Sequence, residues 1–457
     1  MSRSAAAPPD FSARLSFWLL SALLVILWIA GGASRADVLG QGVVRFFAWT
    51  FLIAFTLFAA RFAWRTVRPV AIFLGLAIIV VALQLVPLPP AIWMTLPGRE
   101  LLMHAAEVIG QPQPWRPLSI SPGATVNALG SLVVPAVVLI LCAQLNREQY
   151  WRIAALLLAL IFAGCLLALL QFSGASFDNP FINYNTGSVS GNFANRNHFA
   201  LFVAWGCLIA PILGFRGDRP SRWKAIASVA LIPFLLLVIL ATGSRAGIVL
   251  GVLAIFAGFF LIRGPALREL RLLPRWGVFA LVGALSVGLI GAVILAFTLG
   301  RAVALDRALE LEAVDDLRSR ALPYVLEALW HFFPAGAGFG TFDPVYRIGE
   351  PDALLQHPYF NHAHNDWVEV VLDGGLAGAA LLLGGIGWMM LSIMRLWRRK
   401  RQSARLAWAG ATALILTMLA SVLDYPARTP MIMAAIIIFA VWLNSASRFP
   451  VASSQAS

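Results

Sequence analysis

Long hydrophobic runs alternate with short polar segments along nearly the whole chain. About 20 apolar residues cross a bilayer as an α-helix, and runs of that length predict about twelve membrane spans, within a range of ten to thirteen. The predicted fold class is therefore an all-α polytopic membrane protein. The spans lie near residues 15–32, 43–60, 69–87, 126–145, 153–172, 198–214, 225–241, 246–262, 277–299, 374–394, 406–423 and 430–445.

The composition supports this class. The chain is 60% hydrophobic and only 12% charged, and a soluble domain of 457 residues could not bury that much apolar surface. No basic helix stands apart from the hydrophobic runs, which argues against nucleic-acid binding. The cysteines all lie inside apolar runs, as core residues do, rather than in a disulfide or metal-binding pattern. They are Cys142, Cys165 and Cys207.

Basic residues collect in alternate short loops. The chain has 34 Lys plus Arg, of which only Lys224 and Lys400 are lysines, against 21 Asp plus Glu. With a cytoplasmic N-terminus, 22 of the 34 basic residues lie in inner segments, including the cluster "RLWRRKRQSAR", as the positive-inside rule requires. Both termini are then predicted to be cytoplasmic. The run from Leu15 to Ala30 also has the features of a secretory signal peptide, which remains an alternative for the N-terminus.

This orientation places the chemistry on the outer side. All six histidines and 17 of the 21 acidic residues fall there. The long connections also lie outside, at 88–125, 173–197 and 300–365, and loops of such length are usually functional or disordered. The stretch "RALELEAVDDLRSRALPYVLEALWHFF" has apolar residues at helical spacing, which predicts an amphipathic helix at the outer surface. We thus divide the chain into a membrane domain of nine spans (1–299), an outer loop with a helix (300–365), and a domain of three spans with a cytoplasmic tail (366–457).

Four arginines in the outer segments are candidate phosphate-binding residues. Arg245 lies between two apolar runs in "ATGSRAG", and its small neighbours allow a ligand to approach closely. A planar guanidinium suits bidentate phosphate binding, although an arginine at a helix end also commonly extends to lipid headgroups. The others are weaker individually, because each is equally typical of a solvated or ion-paired loop arginine: Arg196, Arg318 and Arg320.

The stretch "NHAHNDWVEVVLDGGLAG", residues 361–378, holds the candidate base. The helix of the tenth span is predicted to begin near His364, ahead of the apolar run 374–394, and histidine can accept a proton near neutral pH. At about 100° per residue, the acids of this helix share one face, which we expect to project above the hydrocarbon, while its glycines suit close helix packing on the opposite side. The acids are Asp366, Glu369 and Asp373, and the glycines are Gly375 and Gly378.

A metal site is not favoured at this stretch. His357, His362 and His364 have the spacing H-x4-H-x-H, which matches no zinc signature that we can identify. We predict neither a metal nor another cofactor.

These motifs together resemble a known family. His364, Asn365, Gly375 and Gly378 fit the pattern His-Asn, nine residues, Gly, two residues, Gly, which is similar to the signature of bacterial O-antigen ligases, the related O-antigen polymerases and O-linked oligosaccharyltransferases. The segments "GNFANRNHFA", "TGSRAG", "SRALPYVLEALWHFFPAGAGFGTF" and "PLSISPGATVNAL" resemble further parts of the family. The likeness extends from about residue 70 to residue 445.

The resemblance implies a GT-C-like glycosyltransferase of the inner membrane, which takes a glycan from undecaprenyl diphosphate on the periplasmic side. It implies that His364 is the catalytic histidine, that Arg245 and Arg320 bind the diphosphate, and that Arg196 is a further match. It also implies a metal-independent inverting reaction. The candidate supporting residues are Asn365, Asp366, Glu369 and Arg318. Asp366 or Glu369 could orient the imidazole or bind sugar hydroxyls.

The acceptor is open at this point. Ligation of O-antigen to lipid A core is the first hypothesis, polymerisation of lipid-linked repeat units the second, and protein glycosylation a third. A lipid-glycan flippase or transporter is the alternative from another class, but it is expected to carry charges near the membrane midplane and paired halves. Here the polar residues gather at the outer side.

Overall fold

The computed structural model describes residues 9–59, 62–174, 179–182, 188–217, 220–271, 283, 318–355, 360–398 and 404–445. In this part of the chain, nearly all regular structure is helical. The helices are α1 (Pro9–Ala30), α2 (Leu39–Phe58), α3 (Arg68–Leu83), α4 (Pro90–Trp93), α5 (Glu100–Val108), α6 (Pro122–Ser131), α7 (Val133–Ala143), α8 (Arg147–Phe172), α9 (Arg196–Gly214), α10 (Arg222–Ala241), α11 (Arg245–Arg271), α12 (318–332), α13 (Phe342–Gly349), α14 (Asp366–Arg398), α15 (Arg405–Leu423) and α16 (Pro430–Ser445).

The structure confirms the class of an all-α polytopic membrane protein. Nine helical segments in the described residues are long and apolar enough to cross a membrane, with α6 and α7 together forming one of them. Two shorter apolar helices, Arg68–Leu83 and Pro430–Ser445, match two more predicted spans. The predicted span 277–299 lies outside the described residues, as do residues 300–317 of the outer loop and His357. The count of twelve spans therefore stays a prediction.

The helices run back and forth between two ends of one bundle. At one end, which we call the loop end, Ala194 N donates to Gly32 O at 3.0 Å and Met431 N to Gly31 O at 3.1 Å. At the other end, Asn444 Nδ2 donates to Thr66 O at 2.9 Å. Helix α9 is the centre of the bundle, because nearly all of its residues are buried.

A second, smaller core lies at the loop end. Helix α12 buries one residue on each turn, which is the amphipathic pattern predicted for this stretch, and these residues pack with α13 and the start of α14. The buried residues of α12 are Ala321, Val325, Leu329 and Phe332. A two-stranded antiparallel hairpin, β1 (Pro87–Leu88) with β2 (Arg116–Pro117), closes the base of the segment that carries α4 and α5.

Helix α14 is broken near its start. Gly375 has φ +55° and ψ −138°, a conformation that only glycine adopts without strain. A Cβ at this position would lie 2.1 Å from Pro334 O, and one at Gly378 would lie 2.3 Å from Val370 O. The two glycines thus allow close contacts with a loop and with the helix's own first turns, and their role in packing between helices stays a prediction.

Candidate functional site

His364 is held in an unusual backbone conformation directly before α14. Its φ is +48°, the one positive φ among non-glycine residues of the described chain, and such strained residues cluster at functional sites. Asn365 caps the helix, since its Oδ1 accepts hydrogen bonds from Trp367 N at 3.0 Å and Val368 N at 3.1 Å. The cap explains why the helix begins at Asp366, two residues later than predicted.

Asp424 is the carboxylate that faces His364. It lies between α15 and α16, and its side chain is only 4% exposed. The amides of Asn195 and Asn197 donate to Asp424 Oδ2 at 3.0 and 2.7 Å, and Tyr425 N donates to Oδ1 at 2.9 Å. Three donors fix the orientation of this carboxylate before any substrate binds.

The imidazole of His364 is positioned on three sides. Its Nδ1 lies 3.3 Å from Asp424 Oδ1, and its ring lies 5.0 Å from the ring of Phe360 and 4.9 Å from that of Tyr425 between centroids. Burial lowers the pKa of His364 below its ordinary value, and Asp424 acts in the opposite direction. The neutral imidazole is therefore the prevailing form at neutral pH, which is the form a general base needs.

Asp424 is held in its charged form. Burial opposes ionisation, but the contacts with His198 and His364 outweigh it and hold the pKa of Asp424 well below its usual range. His198 is itself fixed, because Thr429 Oγ1 lies 2.9 Å from its Nδ1 and Asp424 Oδ1 lies 3.7 Å from its Nε2. The carboxylate thus remains an anion across the physiological pH range.

His364 opens into a pocket of about 390 Å³ at the loop end. Three of the four predicted arginines share this pocket with His364 and Asn365: Arg196, Arg245 and Arg318. They come from three helices that are far apart in sequence. The pocket therefore combines a neutral imidazole with a strongly cationic wall.

Two helix N-termini add to the positive potential of that wall. Arg196 and Arg245 are the first residues of α9 and α11, and the N-terminal ends of helices favour anions. Ser244 Oγ accepts a hydrogen bond from Gly247 N at 2.9 Å and caps α11. A Cβ on Gly247 would lie 2.4 Å from that of Ala200, so this glycine allows the two helix starts to lie side by side.

Arg320 lies elsewhere. Its Nη2 is 3.4 Å from Ala353 O, and among the described residues it is not one that lines the pocket. Arg318, one of the weaker candidates by sequence, does line it. The diphosphate-binding role of either arginine stays a prediction.

The three acids of α14 do not project from the protein, which corrects the prediction of a projecting acidic face. Asp366, Glu369 and Asp373 are all buried and surround Arg428. The Nη2 of Arg428 lies 3.2 Å from Glu369 Oε1 and 3.3 Å from Asp373 Oδ2, and its Nε lies 3.7 Å from Asp366 Oδ1. Burial disfavours the charged guanidinium, but these carboxylates dominate and raise the pKa of Arg428 above its usual range. The acids therefore form one face, as the helical spacing indicates, but it faces a buried cation.

These carboxylates also tie loops together. Glu369 Oε1 lies 2.9 Å from His362 Nδ1, and its Oε2 accepts from Ala363 N at 2.9 Å. Asp366 Oδ2 accepts from Ser421 Oγ at 2.8 Å and Ala427 N at 3.1 Å. Glu369 thus orients His362 rather than His364, and neither acid is placed to bind sugar hydroxyls.

The segment "LDYPART", residues 423–429, was not predicted from the sequence to belong to the site, although it supplies Asp424, Tyr425 and Arg428. Its signal was a pair of opposite charges in a short connection between two apolar runs at the histidine-bearing end of the bundle. Among the described residues, no group of three or more His, Cys, Asp or Glu side chains is arranged to hold a metal ion. The prediction of a metal-free reaction remains open to test.

Comparison with known proteins gives one similarity to a family model. Residues 229–383, about a third of the chain, match a family model described as O-antigen ligase; this range includes Arg245, Arg318 and His364 but ends before Asp424. No curated protein matches the chain. The match lies within the part of the chain that carries the resemblance in sequence, and it supports the O-antigen ligase and polymerase family for residues 229–383.

Proposed function

We propose that this membrane protein transfers a glycan from undecaprenyl diphosphate to a sugar hydroxyl, and that the acceptor is the core sugar of lipid A. The observation that carries the proposal is the shared pocket of His364 with Arg196, Arg245 and Arg318. Members of the family act on lipid-linked glycans in a membrane context, so the pocket needs both an anion-binding wall and a base.

The cationic wall suits the donor's diphosphate. Charge-assisted hydrogen bonds from guanidinium groups to phosphate oxygens are about twice as strong as neutral ones. Two helix N-termini point at the same volume, and negative charge that develops on the leaving diphosphate is stabilised there without reorganisation of the protein. Arg196 and Arg245 would bind the phosphates, and Arg318 would contribute a third guanidinium from α12.

His364 suits the acceptor. His364 Nδ1 lies 3.3 Å from Asp424 Oδ1, so a proton on Nδ1 would face the carboxylate and leave Nε2 as the basic nitrogen. Asp424 would then stabilise the imidazolium once the proton has arrived. The acceptor oxygen forms a bond to the anomeric carbon, the bond from that carbon to the diphosphate oxygen breaks, and the hydroxyl proton moves to Nε2. A single displacement of this kind inverts the anomeric centre, and none of its steps requires a metal ion.

The predicted orientation would place this reaction on the periplasmic side of the bacterial inner membrane. The pocket lies at the loop end, where the sequence analysis assigns the histidines and most acids. A lipid-linked donor enters such a pocket from the outer leaflet, where its diphosphate lies level with the helix starts.

The test is glycan transfer by the purified full chain, with lipid-linked O-antigen as donor and lipid A core as acceptor. His364→Ala should abolish transfer, because a general base contributes about 10²–10⁴-fold to the rate. The matched control is His104→Ala, since His104 has a side chain that is 72% exposed and should be replaceable at no loss. Transfer by His364→Ala at the wild-type rate would refute the assignment.

A deletion strain separates ligation from polymerisation. Unmodified core together with long lipid-linked polymer indicates a ligase. Core that carries single repeat units indicates a polymerase and overturns the choice of acceptor while leaving the pocket chemistry in place.

A further inference from the structure

Arg45 is the one charged residue of the membrane helix α2, and no acidic side chain of the described residues forms an ion pair with it. It is the seventh residue of Leu39–Phe58. Its only hydrogen bond within the described residues is a long one, from Nη2 to Gln41 Oε1 at 3.4 Å, and its Nε is buried without a partner. Charged side chains inside membrane spans are costly and usually face a partner or a ligand.

The guanidinium lies near the loop end of α2. Gly40 N donates to Phe181 O at 3.0 Å, and Gln41 Nε2 donates to Ala33 O at 2.9 Å, so the start of this helix is joined to loop-end segments. Side chains on a helix tilt toward its N-terminus, and the contact with Gln41 one turn earlier shows that Arg45 follows this rule. Its charge is therefore about two turns or less, roughly 9 Å, from the level of the helix start.

The neighbouring helix α6 leaves room beside this charge. A Cβ at Gly130 would lie 3.4 Å from Arg45 Nη1, so a larger residue there would crowd the guanidinium. Asn127 lies three residues earlier on the same face of α6, and its amide makes no hydrogen bond within the described residues. A cation and an amide are thus available to one anionic ligand.

The ligand must approach from the lipid. Trp49 and Ile53 follow Arg45 at intervals of four residues and therefore lie on the same face of α2. Both side chains are exposed, at 55% each. Arg45 does not line the pocket of His364, whose described lining residues come from other elements. We propose that Arg45, with Asn127, binds the phosphate of a membrane lipid whose hydrocarbon chain lies along Trp49 and Ile53.

The test is lipid retention by the purified full chain in detergent, measured by native mass spectrometry and by the shift of thermal unfolding. The probes are phosphatidylglycerol, diacylglycerol, which lacks a phosphate, and inorganic phosphate. We expect wild type to retain phosphatidylglycerol but not diacylglycerol, and Arg45→Gln to bind phosphatidylglycerol at least tenfold more weakly. The matched control is Arg263→Gln in α11, because that guanidinium already lies 4.0 Å over the ring of Phe260 and should leave lipid binding unchanged.

A second variant keeps the test independent of folding. Gly130→Leu retains the charge but fills the space beside Nη1, so it should lose phosphatidylglycerol as Arg45→Gln does. Equal retention by wild type, Arg45→Gln and Gly130→Leu would overturn the site. If inorganic phosphate, but not phosphatidylglycerol, raised the unfolding temperature of wild type and had no effect on Arg45→Gln, the ligand of Arg45 would be free phosphate and not a lipid. Neither readout depends on glycan transfer.

Discussion

The exchange Asp424→Asn tests whether this carboxylate sets the protonation state of His364, the proposed general base. Asparagine has the same shape but replaces one oxygen with an NH2 group. Asp424 now accepts hydrogen bonds at both oxygens, from Asn195 and Asn197 at Oδ2 and from Tyr425 N at Oδ1. The new NH2 group must therefore face donors on one side or the other. Where it faces His364, Nδ1 has to become the acceptor and Nε2 carries the proton.

The expected effect falls on kcat. A protonated Nε2 cannot accept the acceptor's proton, and the contribution of a general base is about 10²–10⁴-fold. Loss of the correct tautomer places the effect toward the upper end of that range. The KM for the lipid-linked donor should change little, because the arginines of the pocket wall remain.

The pH dependence provides a second readout. Asp424 raises the pKa of His364 against the effect of burial, so its neutralisation lowers that pKa further. Since the base is inactive when protonated, the acid limb of the profile of kcat against pH should move to lower pH in Asp424→Asn. Steady-state transfer to core acceptor over a pH series measures both effects. The matched control is Asp343→Asn, which removes an exposed carboxylate that pairs with Arg347 at 2.7 Å. An unchanged kcat with an acid limb at higher pH would refute the role given to Asp424.

Three further changes test the pocket and its support. Arg318→Gln should raise the KM for the lipid-linked donor about 10- to 100-fold, as expected for the loss of one charge-assisted contact of about 1.5–3 kcal/mol. Arg320→Gln should change this KM less than about threefold. A larger effect for Arg320→Gln than for Arg318→Gln would show that Arg320 binds the diphosphate. Gly375→Ala should lower the unfolding temperature markedly, because a Cβ there would lie 2.1 Å from Pro334 O. The control Gly384→Ala, in the same helix but with open space around it, should be neutral or stabilising. Equal unfolding temperatures for the two variants would contradict the break in α14. Arg428→Met should lower the free energy of unfolding by about 3–5 kcal/mol, because buried carboxylates lose their counter-charge. The control Arg347→Met, at the exposed arginine of α13, should lower it by about 0–1 kcal/mol. A similarly small loss in both variants would show that the buried cluster contributes little to stability.

Hydrophobic run length was sufficient to predict most of the fold. A span is a local property, since about 20 apolar residues in sequence determine it, and the described helices match the predicted runs. The break at Gly375 was not predictable by the same argument. It depends on the close approach of residues 334–336, which no local pattern contains, and the helical spacing of residues 366–378 fits a continuous helix equally well.

The candidate site was predictable to the extent that its residues carry their own chemical signal. An arginine at the start of an apolar run, as at Arg196 and Arg245, and a histidine at the mouth of a span are visible in sequence. Burial of the acids was not, because the cation that compensates Asp366 and Asp373 comes from Arg428, more than 50 residues later. Asp424 was overlooked for a similar reason, since a single acid between two spans has many ordinary explanations.

The buried carboxylates explain why so much polarity is concentrated at the start of α14. The proposed base and its carboxylate lie on two loops, with His364 just before α14 and Asp424 directly after α15. Their 3.3 Å separation therefore depends on the relative position of those loops. Glu369 holds the first loop through Ala363 N, Asp366 holds the second through Ala427 N, and Arg428 joins both acids. One turn of helix thus crosslinks the two halves of the site. Buried ion pairs are costly in a membrane protein, and here they hold His364 and Asp424 in position relative to one another.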